Sequence, residues 1–140
     1  MRYFLFVLLG LSLVAGTEAA NLHARLVRAS NDRDGKDANL ADIEKPLREK
    51  LGYKFYRQLG SQQAAIVAGK TVRLNLGEGF TVFVTGKGTE KEQEVLELEW
   101  YSGKVSLLRS TVKIGVGRHL FVKGPDVGAE SLALAVTVRE

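Results

Sequence analysis

The sequence predicts a mainly β protein: an antiparallel β-sandwich or small barrel of about eight strands, with one N-terminal amphipathic helix after the first strand. Three observations lead to this fold class. The chain has 140 residues, 45% of them hydrophobic, which suits a single globular domain. Apolar and polar residues alternate over most of the second half, as in half-buried strands. Turn signals recur there about every eight to twelve residues, and no linker separates the segments, so we expect one domain over 21–140.

The first twenty residues resemble a cleaved signal peptide. Met1 and Arg2 form a short positive region, Tyr3–Val14 is almost entirely apolar, and small residues follow. As a helix, the apolar run would reach only about 18 Å, whereas the hydrocarbon core of a membrane is about 30 Å thick. We therefore expect cleavage after Ala19 or Ala20, with 1–20 removed and no stable membrane span after processing.

We expect this leader to direct the protein out of the cytoplasm. No pair of arginines precedes the apolar run, so the general export route is expected. The chain contains no cysteine, which excludes a lipid-anchored lipoprotein, disulfides and thiol chemistry. No asparagine has a serine or threonine two positions later, so a glycosylation acceptor is absent and a bacterial envelope protein is favoured. The expected location is the periplasm or the outside of the cell.

The net charge of +4 is unevenly distributed. Residues 21–70 carry ten Lys and Arg against six Asp and Glu, whereas residues 71–140 carry nine of each. A basic patch in the first part would suit peripheral contact with an anionic surface, although a well-solvated face of mixed charge explains the same composition. Because we expect the protein to be exported and no predicted helix is rich in arginine, we expect no nucleic-acid partner.

One strand and one helix are predicted before the main β region. Alternation over 22–27 indicates a first strand, and the segment 30–37 is a polar, turn-rich loop. Apolar residues then recur at helical spacing over 37–51, and Gly52 can end the helix. Pro46 would cost about 3 kcal/mol in a helix interior, so this segment is either a bent helix or two short turns.

From residue 53 onward the pattern is antiparallel β structure. Strands are expected at 53–59, 71–76, 80–84, 95–101, 105–113, 119–123 and 132–138. Tight turns are predicted at 77–79 and 102–104, and a longer polar loop at 87–94.

The loop after the first strand contains the only candidates for a metal site. Asp32, Asp34 and Gly35 resemble positions in the middle of an EF-hand calcium loop. However, Ser30 and Ala41 stand where that pattern has its first and last carboxylates. We expect no metal and no cofactor, with Asp32 and Asp34 making side-chain turns that carry the chain into the helix.

Three patterns in the sequence resemble catalytic arrangements. Glu97 and Glu99 lie two residues apart on one strand, about 6.6–6.8 Å along it, which overlaps the carboxylate spacing of inverting glycosidases. Further glutamates precede them, which indicates an acidic surface instead. The segment 115–119 resembles a phosphate-binding turn, but a strand follows it where such turns need a helix. His23 and His119 are far apart in sequence and lack partners at metal-ligand spacing. No catalytic residue is predicted.

Aromatic side chains provide the candidates for binding. Trp100 alternates in phase with Leu96 and Leu98, which assigns it to the core. Tyr56 and Tyr101 fall on the opposite faces of their strands, where sugar rings could pack on them. These two tyrosines are the candidate binding residues.

These observations predict an exported, non-enzymatic β module that acts through contacts with a protein partner. It would serve as an accessory or structural component of a bacterial envelope or surface assembly. Exposed strand edges would allow a partner to bind by strand addition. A carbohydrate-binding module is the alternative function, and a small cell-wall hydrolase is the third.

Overall fold

A computed structural model describes residues 20–31 and 37–139 of the chain. Eight strands form two four-stranded antiparallel sheets. Sheet A has the order β2-β1-β8-β7 and sheet B the order β3-β4-β5-β6. The strands are β1 (Ala20–Ser30), β2 (Phe55–Ile66), β3 (Thr71–Gly77), β4 (Phe80–Glu90), β5 (Gln93–Ser102), β6 (Val105–Gly115), β7 (His119–Val127) and β8 (Glu130–Arg139). The sequence allowed either a sandwich or a small barrel. Over the described ranges, the strands do not close into a barrel.

The main core lies between the two sheets. Strand alternation places one face of each central strand in it, as with Leu22 and Leu26 on β1 and Leu134 on β8, all with zero exposure. Sheet B contributes Leu98 and Trp100 from β5 to the same cluster. Burying each side chain of this size stabilises the fold by about 1.5–3 kcal/mol, so this cluster holds the two sheets together.

A second, smaller core lies on the outer face of sheet A. After β1, the chain forms a 3₁₀ turn, Ala38–Leu40, and one α-helix, α1 (Glu44–Leu51). Pro46 occupies the first turn of α1, where its missing N–H has no helical partner to lose. The apolar side of this segment packs on β1, β2 and β8. Fully buried members of this cluster are Val27, Ala29, Leu40, Ile43 and Leu47.

The hairpin between β4 and β5 differs from the sequence prediction. A polar loop was expected over 87–94, but β4 continues to Glu90 and β5 begins at Gln93. Only Lys91 and Glu92 form the turn, with positive φ angles of 51° and 67°. This is the geometry of tight two-residue hairpins, which match the strand twist. Polar composition was therefore misleading here, because both strands extend into solvent.

One residue in β2 breaks the regular pairing with β1. Leu26 pairs with Gly60 and Val27 with Gln58, so Leu59 is an extra residue without a partner. Gly60 then lies against β3, where a side chain would overlap the backbone carbonyl of Leu76. The lack of a Cβ at residue 60 permits this close approach, and β2 and β3 meet along one side of the molecule.

No helix within residues 20–31 and 37–139 is long and apolar enough to cross a membrane. The leader predicted at 1–20 lies, except for Ala20, outside the described residues.

Candidate functional site

The sequence-predicted site residues do not form one site. Asp32 and Asp34 lie outside the described residues. Tyr56 is not available to a ligand, since it is only 4% exposed beneath α1. Its hydroxyl donates to the Leu47 carbonyl at 3.2 Å and accepts from the Tyr53 N–H at 3.0 Å, and burial raises the pKa of Tyr56. The sequence assigned this tyrosine to an open face, but the helix covers that face.

Tyr101 lies on the outer face of sheet B and is half-buried. Its ring meets Phe83 edge to face, with centroids 5.7 Å apart and an interplanar angle of 89°. The Tyr101 hydroxyl donates to Glu99 Oε2 at 3.1 Å, and this hydrogen bond raises the pKa of Tyr101. Two perpendicular rings do not make the flat platform on which a sugar stacks.

The expected core position of Trp100 is confirmed, because its exposure is zero. Its indole N–H is buried without a hydrogen-bond partner among the described residues. The ring therefore acts as an apolar anchor between the sheets, and not as a surface for ligands.

Glu97 and Glu99 both have neighbours on the outer face of sheet B. Arg109 Nη2 approaches Glu97 Oε2 at 3.4 Å, and Glu99 accepts the hydroxyl of Tyr101. Each carboxylate is engaged by a different side chain. They form a charged surface of the kind that the sequence indicated.

Strand order brings the two histidines into one row of sheet A. His23 on β1 is opposite Thr137 on β8, and Thr137 is opposite His119 on β7. His119 Nδ1 and Thr137 Oγ1 are hydrogen-bonded at 2.7 Å. The sequence could not predict this row, because it requires β1 to pair with β8, and their partner residues His23 and Thr137 lie more than a hundred positions apart.

An ion pair lies beside this row and ties the 3₁₀ segment to the sheet. Arg25 donates from Nη1 and Nη2 to the two oxygens of Asp42, at 2.9 and 3.0 Å, and from Nη1 to the Asn39 carbonyl at 3.3 Å. The hydrogen bond from Arg25 lowers the pKa of Asp42. Burial and the charge of Arg25 lower the pKa of His23, which favours its neutral form.

The geometry of this polar cluster fits a stabilising role better than a catalytic one. A hydroxyl beside an imidazole is the pair that hydrolases use, but Thr137 is only 3% exposed. Asp42, which could orient an imidazole, is engaged by both terminal nitrogens of Arg25. Among the described residues, no group of three or more His, Asp or Glu could hold a metal ion.

An open cavity of about 1200 Å³ lies at one end of the molecule, and we call it the end groove. The tip of the β4–β5 hairpin, the end of β6, the start of β7 and the first residue of β1 line it. Its charged residues are Lys91, Glu92, Glu94, Lys113 and Arg118, its apolar residues include Ala20, Ile114, Val116 and Leu120, and His119 also lines it. The groove offers apolar contacts between charged rims.

The turn beside the end groove uses its amides internally. The Gly117 N–H donates to the Val138 carbonyl at 2.7 Å, and the Arg118 N–H donates to the Gly115 carbonyl at 3.0 Å. These two amides are therefore not directed at a ligand. This geometry agrees with the sequence argument that the turn is structural, since no helix follows it.

Strand β6 is at one edge of sheet B, with β5 on one side of it and no strand of sheet B on the other. We call the side of Leu108–Gly115 that faces away from β5 the β6 edge. Along this stretch the pairing with β5 runs without a shift from Trp100–Leu108 to Gln93–Gly115. The nearby edge strand of sheet A, β7, is interrupted by a register shift between Lys123 and Asp126 that contains Pro125, and proline lacks the N–H that pairing requires. The β6 edge is therefore the better surface for pairing with a further strand.

Comparison of the chain with protein-family models, with curated proteins and with solved structures found no match.

Proposed function

We propose that this chain is an exported, non-enzymatic β-sandwich module that binds an extended segment of a partner protein along the β6 edge. The module would act in the periplasm or at the cell surface, as an accessory or structural component of an envelope assembly. The observation that carries the proposal is an edge strand of eight regularly paired residues that leads into an open groove.

Backbone chemistry supports this binding mode. A strand at the edge of a sheet presents a row of N–H and C=O groups that another strand can pair with. Recognition modules use such edges by adding the ligand as a further strand, with main-chain hydrogen bonds for affinity and side-chain contacts for specificity. Leu108–Gly115 contains no proline, so none of the N–H groups that alternate outward along the β6 edge is lost to a proline ring.

The end groove supports the same occupant. Lys113, Ile114 and Gly115 of the β6 edge also line the groove, together with His119 and Leu120 of β7. Its volume of about 1200 Å³ exceeds the roughly 300–1,000 Å³ of a small-molecule site. An extended chain that pairs with β6 could continue through this opening.

Export is part of the proposal. The apolar leader followed by small residues is typical of a signal peptide, and cleavage after Ala19 would leave all of β1 in the mature chain. A location outside the cytoplasm provides the setting for an envelope assembly.

The proposal can be tested by hydrogen exchange on the exported protein. A panel of blocked heptapeptides with alternating apolar and polar residues is titrated in, and amide protection is read residue by residue. We expect a bound peptide to protect amides in Leu108–Gly115 and to leave β1 and β2 unchanged. Methylation of alternate peptide nitrogens removes donors and should abolish binding. Peptide binding that protects other strands, or the absence of binding across the panel, would contradict strand addition.

The half-buried aromatic pair Phe83 and Tyr101 is the observation that favours the alternative, a carbohydrate-binding module. A glycan array incubated with the exported protein tests this function. Binding that is lost in Tyr101→Ala, with β6 unprotected, would replace the interaction module with the carbohydrate-binding one.

A further inference from the structure

The β6 edge presents a different pattern on each face. On the outer face of sheet B it places Arg109, Thr111 and Lys113. The intervening residues face the inter-sheet side, where Leu108, Val112 and Ile114 join the main core. A strand added to β6 would meet cationic groups on one of its faces and apolar groups on the other, because strand side chains alternate.

The two cations on this edge lie four positions apart and are accessible. The side chain of Arg109 is 66% exposed and that of Lys113 is 50% exposed. Arg109 approaches Glu97 through one nitrogen at 3.4 Å, and Lys113 approaches Glu90 at 2.9 Å. A guanidinium has five N–H donors and an ammonium has three, so each cation can donate to a second anionic neighbour.

The charges on β5, the strand that already pairs with β6, indicate which charges a second neighbouring strand would carry. On β5, Glu99 is opposite Arg109, Glu97 is opposite Thr111 and Val95 is opposite Lys113. Lys113 instead reaches Glu90 on β4, so both cations of the β6 edge already have an acidic neighbour within sheet B. Opposite charges in cross-strand positions stabilise a sheet, whereas like charges destabilise it. The other side of β6 offers the same cations to an added strand, so charge complementarity favours a second acidic strand.

We infer that the segment bound at the β6 edge carries two acidic residues four positions apart, facing Arg109 and Lys113, with apolar residues facing the other way. This inference rests on the proposed function, because it specifies the sequence of the strand that β6 accepts.

The probe is a blocked heptapeptide, Val-Glu-Val-Thr-Val-Glu-Val, which reads the same in both directions and so suits parallel or antiparallel pairing. Two matched peptides carry Gln or Lys in place of both Glu residues. We expect the Glu peptide to bind about tenfold more tightly than the Gln peptide, and the Lys peptide to bind most weakly. The difference between Glu and Gln should decrease as salt is raised, because the contacts are exposed.

The protein variant Arg109→Gln/Lys113→Gln tests whether these two cations cause the preference. It should bind the Glu and Gln peptides with similar affinity, while keeping the affinity of the unmodified protein for the Gln peptide. The control is Arg73→Gln, which removes an exposed cation from β3 at the opposite edge of sheet B and should keep the tenfold preference.

The outcomes separate the inference from the proposed function. Equal binding of all three peptides, with protection of the β6 amides, would overturn the acidic specificity and keep strand addition. A preference for Glu that survives in Arg109→Gln/Lys113→Gln would also overturn the inference, since other groups would then read the charge. No protection of β6 by any of the peptides, at concentrations where the panel is soluble, would overturn both.

Discussion

Gly124 on β7 lies against the indole ring of Trp100 on β5, so closely that a Cβ at residue 124 would overlap the ring carbons Cη2 and Cζ3. The contact joins sheet A to sheet B at the end of the molecule away from the end groove. Phe80 packs on the same ring edge to face, with centroids 6.3 Å apart. The ring is thus held between a strand of each sheet.

Gly124→Ala should destabilise the protein by about 1–3 kcal/mol, the usual cost of overpacking a filled core. The added methyl group would push on a ring that is enclosed on both sides. Denaturant unfolding of the variant measures the loss.

Gly115→Ala is the matched control, because a Cβ there would meet only the Arg118 side chain, at 3.3 Å. That side chain is exposed and can move. Stability of Gly124→Ala equal to that of Gly115→Ala would show that the ring contact is not tight.

Trp100→Ala should cost about 3–5 kcal/mol, since it leaves a large cavity in the main core. Trp100→Phe should cost less, because phenylalanine keeps an aromatic ring in the core. The substitution also breaks no hydrogen bond, since the indole N–H has no partner among the described residues. As the only tryptophan, this residue also reports its own surroundings. We expect blue-shifted fluorescence that does not respond to soluble glycans. Red-shifted emission that a glycan quenches, together with a stable alanine variant, would contradict the burial of Trp100.

Asp42→Asn should destabilise the protein by about 1.5–3 kcal/mol, the range for hydrogen bonds to a charged group. The side chain of Arg25 is 6% exposed, so the substitution leaves a nearly buried guanidinium without its counter-charge. Thermal and denaturant unfolding measure the effect.

Lys123→Gln provides the comparison for Asp42→Asn. It breaks an ion pair with Asp126 in which both side chains are more than half exposed, and such pairs contribute about 1 kcal/mol or less. If the two substitutions cost the same, the burial of Arg25 would have no energetic effect.

The stability of the protein should fall as the pH decreases from 7 to 5, and His23 should cause part of this loss. Its pKa is lowered in the folded state by burial and by Arg25, so the unfolded chain binds more protons in this range. Stability then rises with pH. The contribution is complete above the unfolded pKa of about 6.5 and is lost as the pH falls through the lower, folded pKa.

Unfolding free energies of the wild type and His23→Gln, measured from pH 7 to pH 5, test this linkage. The variant should have a flatter profile than the wild type. The pKa of Asp42 is also lowered, so a separate loss is expected below about pH 3.9. Identical slopes for wild type and His23→Gln above pH 5 would exclude His23 as the source.

The exported protein should begin at Ala20 or Asn21. N-terminal sequencing of the protein from the periplasm or medium decides this. Recovery of the chain with Met1 intact in the membrane fraction would defeat the expectation, and would make the module a tethered one.

Periodicity predicted the faces of β5 correctly because only neighbouring residues decide them. Leu96, Leu98 and Trp100 alternate with glutamates, and all three are buried. Tyr56 was assigned to an open face from the same kind of pattern. It does lie on the opposite face from the strand's core residues, but α1 covers it, and alternation carries no information on what packs over a face.

The polar cluster on sheet A could not be predicted for a related reason. His23, Thr137 and His119 meet through the order β1-β8-β7, and single-strand patterns do not encode which distant strands pair. The β6 edge was only partly predictable. The sequence indicated that exposed edges would exist, but the choice of β6 depends on which strands end each sheet and on the register shift at Pro125 in β7.

The unpaired residue Leu59 determines which changes of chain length this fold can accept. Beyond it Ile66 faces the main core, whereas before it Tyr56 faces the cluster under α1. A deletion or insertion of one residue between them would reverse one face of β2 and expose one of these side chains. The hairpin turns at Lys91–Glu92 and at Gly103 have no such coupling, because residues added there leave the strands in phase. Homologous chains should therefore vary in length at these turns and keep the spacing within β2 constant.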